Sequence, residues 1–262
     1  MSKRVMISIP VHEQPAVVEN QLLNIQKFIP NSQVILHASA DQPSFRPAIQ
    51  QLVEKYPSFA YLNPISYPTY AEHEAACVTG LSSIHASSFQ AVAHLDFDVW
   101  AINTSNDMMV REGVEQVFAQ FSCAIQSQAV TASEYAFQDV VSQIRGHLPK
   151  ANLFLKSSQE GSFYPKEVFR DVSATLQKMG EKIKGEEMYL PSLAVNLYPE
   201  LLSSNARFQY VYHNPAHYAV TRDDIHKVQY GEYLHRYAVK RVPRTMSDPT
   251  RQYINQITGV SL

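Results

Sequence analysis

The sequence predicts an α/β fold in a single domain, with a mostly parallel central sheet flanked by helices. Two observations carry this prediction. An apolar run at 5–9 is followed by an amphipathic helical stretch at 16–28 and by a second apolar run at 34–37. This strand–helix–strand order is typical of a parallel sheet, because parallel neighbours need a long crossover connection. In addition, strand and helix candidates continue along the chain without an internal repeat or a disordered linker.

Each element has a local signal. Pro10 ends the first strand, and Gln14-Pro15 opens the first helix, whose apolar residues recur at helical spacing. The other helix candidates are 46–56, 72–89, 111–121, 165–183 and 186–197, and the other strand candidates are 59–62 and 99–103, with a strand or loop at 154–164.

The composition excludes several classes of protein. With 45% hydrophobic and 18% charged residues in 262, the chain is expected to be a soluble globule. A net charge of -2 argues against nucleic acid as a partner. Two cysteines, Cys77 and Cys123, cannot form a secreted disulfide framework, and no apolar stretch approaches the roughly 18 residues of a membrane span. A cytoplasmic location is therefore expected, with the inner-membrane surface as an alternative.

Polar residues follow several predicted strands, at Val11-His12-Glu13, 38–41, 105–107 and 161–162. Ligands of parallel α/β sheets bind at the carboxyl ends of strands, so a nucleotide is expected at this edge. The chain has no glycine-rich phosphate loop and no Gly-x-Ser-x-Gly motif. These absences argue against a P-loop NTPase, a Rossmann dehydrogenase and an α/β-hydrolase.

A basic segment lies near the end of the sequence. Between Lys227 and Arg251 there are six Lys or Arg residues and two Asp or Glu residues, with Lys240 and Arg241 adjacent beside apolar Val242. Such a run is either a solvated face or a site for a di-anion, and the run by itself leaves both interpretations open.

Two acidic pairs are candidates for chemistry. Asp96 and Asp98 form an Asp-x-Asp pair, which could hold Mg²⁺ or Mn²⁺. The clear strand follows the pair, however, which predicts a capped turn at its amino end, away from the ligand edge. Glu186 and Glu187 open a helix, where carboxylates complement the helix dipole, and one of them could instead serve as a general base.

Read in order, six short motifs resemble the Core-2/I-branching glycosyltransferase family, which includes the peptide O-xylosyltransferases. They lie at 7–13, 37–39, 104–109, 161–164, 185–192 and 237–242. At the second motif the acid of the family is either missing or displaced to Asp41. The resemblance spans nearly the whole chain and points to a compact, bacterial-type relative.

The resemblance implies a GT-A-like fold and inverting, metal-independent transfer of a sugar without a cofactor. The implied donor is a UDP-sugar, with GlcNAc or xylose favoured, and the implied acceptor is a hydroxyl of a glycan or glycolipid. Residues 1–125 would bind the nucleotide sugar, and residues 150–262 would bind the acceptor and the diphosphate.

By the same resemblance, Glu187 would be the general base. Residues expected to bind the donor are Val11, His12, Ser39, Asn106, Asp107, Arg236, Lys240 and Arg241, and those expected to bind the acceptor are Glu160, Gly161 and Ser162. Two alternatives stay open: a metal-dependent GT-A enzyme using Asp96 and Asp98, and a non-catalytic carbohydrate- or nucleotide-binding protein.

Overall fold

The computed structural model of the chain describes residues 2–68, 81–125, 128–129, 138–180 and 186–260. In chain order the strands are β1 (Val5–Val11), β2 (Ser32–Ala38), β3 (Ala60–Leu62), β4 (Val99–Ile102), β5 (Met108–Met109), β6 (Gln128–Ala129), β7 (Leu155–Lys156), β8 (Phe163–Pro165), β9 (Val211–Tyr212) and β10 (Ala238–Val239). The helices are α1 (Pro15–Phe28), α2 (Arg46–Lys55), α3 (Leu81–Val92), α4 (Val114–Gln120), α5 (Gln138–His147), α6 (Lys166–Met179), α7 (Glu186–Leu197), α8 (Arg222–Gln229) and α9 (Pro249–Thr258).

The central sheet has the strand order β3-β2-β1-β4-β8. β1 pairs in parallel with β2 and β4, and β2 pairs in parallel with β3, whereas β8 runs antiparallel to β4. The chain therefore moves outward from β1 to β3 and then returns to the other side of β1. This reversal of strand order creates a switch point between the carboxyl ends of β1 and β4.

Alternating side chains of the strands build a hydrophobic core on each face of the sheet. Met6, Trp100 and Ile102 pack with residues of α3, α5, α6 and α7. Ile7 and Ala101 point to the opposite face and pack with residues of α1, α2 and α4. The predicted α/β fold, with a mostly parallel sheet between helices, is therefore confirmed.

A smaller sheet lies beyond the carboxyl edge of β4. Its order is β5-β10-β9, with β10 antiparallel to β5 and parallel to β9. Val239, Ile225 and Ile254 belong to a third apolar cluster, which joins this sheet to α8 and α9. The sequence did not predict β5, β9 or β10, because two-residue strands carry no readable alternation.

Other differences from the predicted elements are local. The stretch 154–164 contains two separate strands, β7 and β8, rather than one. α6 ends at Met179 because Gly180 adopts a positive φ of 90°. The expected helix 72–89 is described only from Leu81, and its first part lies outside the described residues.

β8 belongs to the second predicted half of the chain, yet it pairs with β4 of the first half.

Within the part of the chain that the structure describes, no helix is long and apolar enough to cross a membrane.

Candidate functional site

The carboxyl ends of β1 and β2 meet at one edge of the central sheet. The backbone NH of Ser39 donates to the carbonyl of Val11 at 2.9 Å. The Ser39 hydroxyl in turn donates to the Asp41 carboxylate at 2.8 Å. Two predicted donor-binding residues, Val11 and Ser39, are thus adjacent at this edge.

The loop after β4 reaches the same edge and contains Asn106 and Asp107. The backbone NH and hydroxyl of Thr104 both donate to the Asp107 carboxylate, at 2.7 and 2.8 Å. Gln21 of α1 donates to the backbone carbonyls of Thr104 and Asp107, which fixes the loop to the helix. Burial raises the pKa of Asp107 to about 7; Glu160 adds to this effect and the charge of Lys240 opposes it.

Lys240 follows β10 and joins the two predicted halves of the site. Its ammonium lies 2.5 Å from the Glu160 carboxylate, and the two side chains are only 19% and 14% exposed. Its backbone NH donates to the carbonyl of Tyr212 in β9. The structure therefore brings Asp107 and Glu160 close to Lys240, although both lie 80 or more residues away from it in the sequence.

Arg241 has a strained backbone, with a φ of 63°. Its guanidinium donates to the carbonyl of His217 at 2.7 Å. Beside it lies a narrow recess, lined in part by Tyr212, His213, Asn214, His217, Lys240 and Arg241. Burial, followed by the charges of Arg241 and Lys240, lowers the pKa of His213.

Gly161 and Ser162 form the tight connection that leads into β8. Gly161 has a φ of 77°, and a Cβ there would lie 2.5 Å from the backbone nitrogen of Val211. The Ser162 hydroxyl donates to the carbonyl of Gln159. Both residues are buried, and these contacts shape the segment that presents Glu160. That they bind the acceptor stays a prediction.

Arg236 supports the smaller sheet from behind. Its guanidinium donates to the backbone carbonyls of Gln209 and, at 3.2 Å, Val211. Burial lowers the pKa of this guanidinium. Arg236 therefore braces the backbone of β9, and its predicted contact with a donor stays a prediction.

Glu187 lies in the first turn of α7 with its side chain 48% exposed, 3.6 Å from the ammonium of Lys156. Its backbone carbonyl accepts from the NH of Ser157 at 2.9 Å. Glu187 is thus hydrogen-bonded to the 157–162 segment at Ser157, which lies three residues before Glu160. The structure links it to the Lys240 cluster through this segment and shows no direct contact between the two among the described residues.

Glu13 is a site residue that sequence reasoning missed. Its side chain is fully enclosed, 3.0 Å from the Nε2 of His12 and 2.9 Å from the Nε of Arg244. Burial acts to raise the pKa of Glu13, but the interactions with His12 and Ser105 and the charge of Arg244 lower it overall. The sequence signal was the polar end of β1, which could not distinguish a buried carboxylate from a solvated one.

Asp96 and Asp98 precede β4 at its amino end, as the sequence predicted. Asp98 accepts from the backbone NH of Arg4 at 2.8 Å, and the Arg4 guanidinium pairs with both carboxylates. The pair therefore lies at the edge of the sheet opposite to Lys240. Over the described ranges, no three His, Cys, Asp or Glu side chains come together as a metal-binding group.

No protein-family model matches the chain, and no curated protein sequence matches it. Among solved structures, the galactosyltransferase LgtC in complex with donor and acceptor sugar analogues matches with a TM-score of 0.45 and 7% identity, over 97% of this chain and 95% of that chain. An active-site mutant of LgtC matches with a TM-score of 0.47 and 6% identity, over the same shares. Both TM-scores are below 0.5, so this likeness identifies no function.

Proposed function

We propose that the chain is a glycosyltransferase that moves a sugar from a nucleotide donor to a hydroxyl of a glycan or glycolipid. The observation that carries the proposal is the position of Lys240, which is enclosed with Glu160 and Asp107 at the carboxyl edge of the sheet. The last of the ordered motifs that resemble the Core-2/I-branching family contains this same lysine. The proposal includes that the chain uses its α/β fold to bind a nucleotide sugar, as GT-A glycosyltransferases do.

The departing nucleoside diphosphate is the group that these cations would stabilise. Cations fixed in a water-excluded site stabilise a developing negative charge without reorganisation. Lys240 is mostly buried, and Arg241 beside it has a strained backbone of the kind that clusters at functional sites. A bound diphosphate would compete with Glu160 for the Lys240 ammonium, which would leave the Glu160 carboxylate to accept a hydrogen bond from the acceptor.

Inverting transfer also needs a base on the other face of the sugar. It is a single displacement through an oxocarbenium-like state, in which one carboxylate takes the proton of the acceptor hydroxyl. Glu187 is the proposed base: its side chain is half exposed, and its backbone is bonded to the segment that presents Glu160. A general base contributes about 10²–10⁴-fold to such a rate.

The proposed donor is UDP-linked, with GlcNAc or xylose as the sugar, and the proposed reaction needs no metal. The diphosphate charge would be balanced by Lys240 and Arg241 instead of by a divalent ion.

The test is Glu187→Gln, which keeps the shape of the side chain and removes the base. UDP release from UDP-GlcNAc and UDP-xylose, measured with water and with a set of simple glycosides as acceptors, should fall by about 10²–10⁴-fold. UDP affinity measured by calorimetry should stay unchanged, because Glu187 does not touch the proposed diphosphate site.

Glu167→Gln is the matched control, since Glu167 is an exposed glutamate in the first turn of α6. It should leave both measurements unchanged. Near-normal turnover of Glu187→Gln would assign the base to another carboxylate. UDP binding by the wild type with no turnover of either donor would support the non-catalytic binding protein instead.

A further inference from the structure

The switch point between β1 and β4 carries a charged cluster that the proposed mechanism does not use. Glu13 follows β1, Ser105 follows β4, and both side chains are buried at the switch point. Arg244 reaches the same carboxylate from the segment after β10. The crevice at such a reversal of strand order is where open α/β sheets bind nucleotides.

The backbone that carries Arg244 is held in place from two sides. The NH of Val242 donates to the carbonyl of Asn106 at 3.1 Å, which ties the segment to the loop after β4. The fully buried guanidinium of Arg251 in α9 donates to the carbonyl of Pro243 at 2.8 Å. Residues 240–244 therefore cross the carboxyl edge as one anchored segment, with Lys240 at one end and Arg244 at the other.

The side chain of Arg244 is also oriented before any ligand arrives. Its Nε lies 2.9 Å from the Glu13 carboxylate, which is fully enclosed, while 46% of the arginine side chain remains exposed. An arginine fixed in this way presents a planar fork of donors at little further entropic cost, and phosphate oxygens match that fork.

We infer that Arg244 is a second phosphate-binding residue of the donor site and that Glu13 is its positioning residue. The inference rests on the proposed nucleotide-sugar donor and adds to it. Lys240 and Arg241 hold one end of the diphosphate, and Arg244 holds the end nearest the β1–β4 crevice. Glu13 touches no ligand and acts by holding the guanidinium of Arg244.

Calorimetry with UDP, UMP, uridine and inorganic pyrophosphate tests this assignment. Arg244→Ala should weaken UDP binding by about ten- to a hundredfold, the range for a charged hydrogen bond, and should leave uridine binding unchanged. Arg170→Ala is the matched control, because Arg170 is an exposed, ion-paired arginine near the amino end of the sheet. It should change neither affinity.

A double-mutant cycle separates positioning from a structural effect. Glu13→Gln should also weaken UDP binding, and Glu13→Gln combined with Arg244→Ala should be no weaker than Arg244→Ala alone, because the two residues act through one contact. Additive losses, or an equal loss of uridine affinity, would overturn the positioning role. If Glu13→Gln fails to fold, Arg244→Ala still tests the phosphate contact, because the side chain of Arg244 is half exposed.

Failure of this inference differs from failure of the proposed function. Unchanged UDP affinity in Arg244→Ala, with a loss in Lys240→Ala, overturns the inference and leaves the donor site in place. If the wild type binds neither UDP nor UMP, the nucleotide donor is overturned. Pyrophosphate then decides the anion site: binding that Arg244→Ala weakens supports it, and no binding overturns it.

Discussion

Gly161 shows at the scale of one residue how the site depends on close backbone approach. Its NH donates to Ile102 of β4, and its carbonyl accepts from Tyr210, so the glycine joins the two sheets. A positive φ of 77° and the contact with Val211 leave no room for a side chain. The neighbouring Glu160 is presented to Lys240 by this connection.

Gly161→Ala should therefore lower the free energy of unfolding by at least about 2 kcal/mol, because the new Cβ would meet the backbone of Val211 in a strained conformation. Gly146→Ala is the matched control: Gly146 lies in α5 with no atom within 4 Å of its Cβ position, and the change should stabilise by about 0.5–1 kcal/mol. Chemical denaturation measures both. Equal stability of the two variants would contradict the close approach at Gly161.

At the scale of elements, β1, β2 and α3 enclose two histidines beneath the site. Nδ1 of His85 in α3 lies 2.7 Å from the Ser8 hydroxyl of β1. His37 in β2 accepts from the backbone NH of Tyr67 at 3.1 Å. Burial lowers the pKa of His37 to about 4 and that of His85 to about 3, so both are neutral in the folded protein at neutral pH.

Acid should therefore destabilise the protein through His37. In the unfolded chain His37 binds a proton below its ordinary pKa of 6.5, whereas in the folded protein it binds that proton only below about pH 4. The free energy of unfolding therefore falls as pH falls between these two values. The shift corresponds to about 3 kcal/mol. Asp107 opposes this trend, because its raised pKa makes the folded state the proton binder between about pH 4 and 7.

Comparison with His37→Asn isolates the histidine, since the contribution of Asp107 is common to both proteins. Denaturant titrations at several pH values measure the free energy of unfolding of both proteins. The value for the wild type minus the value for the variant should decrease from pH 6.5 to pH 4. A difference that does not change with pH would show that His37 titrates normally in the folded state.

At the scale of the whole molecule, the two ends of the central sheet have different charge arrangements. The carboxyl edge collects Glu13, Glu160, Lys240 and Arg244 from distant parts of the chain. The amino edge holds Asp96 and Asp98, both paired with Arg4. The proposed diphosphate site and the alternative metal pair are therefore at opposite edges of the sheet.

Nucleotide binding should accordingly not depend on Asp96 and Asp98. The increase in thermal unfolding temperature caused by UDP should be the same in excess EDTA as in Mn²⁺, and the same in an Asp96→Asn, Asp98→Asn double variant as in the wild type. An increase that EDTA abolishes and Mn²⁺ restores would favour the metal-dependent alternative. If Mn²⁺ also restores the increase in the double variant, the metal ligands would be residues other than Asp96 and Asp98.

The sequence alone determined the class of fold and the edge that carries the polar strand ends, because periods of 2 and 3.6 residues record which faces are buried. It also placed Asp96 and Asp98 at the amino end of β4 from the order of the elements. Only the tertiary structure decided that Lys240 meets Glu160 and that Glu13 holds Arg244. Contacts between residues that lie 80 to more than 200 positions apart depend on how sheets and loops pack, and a local pattern carries no record of that.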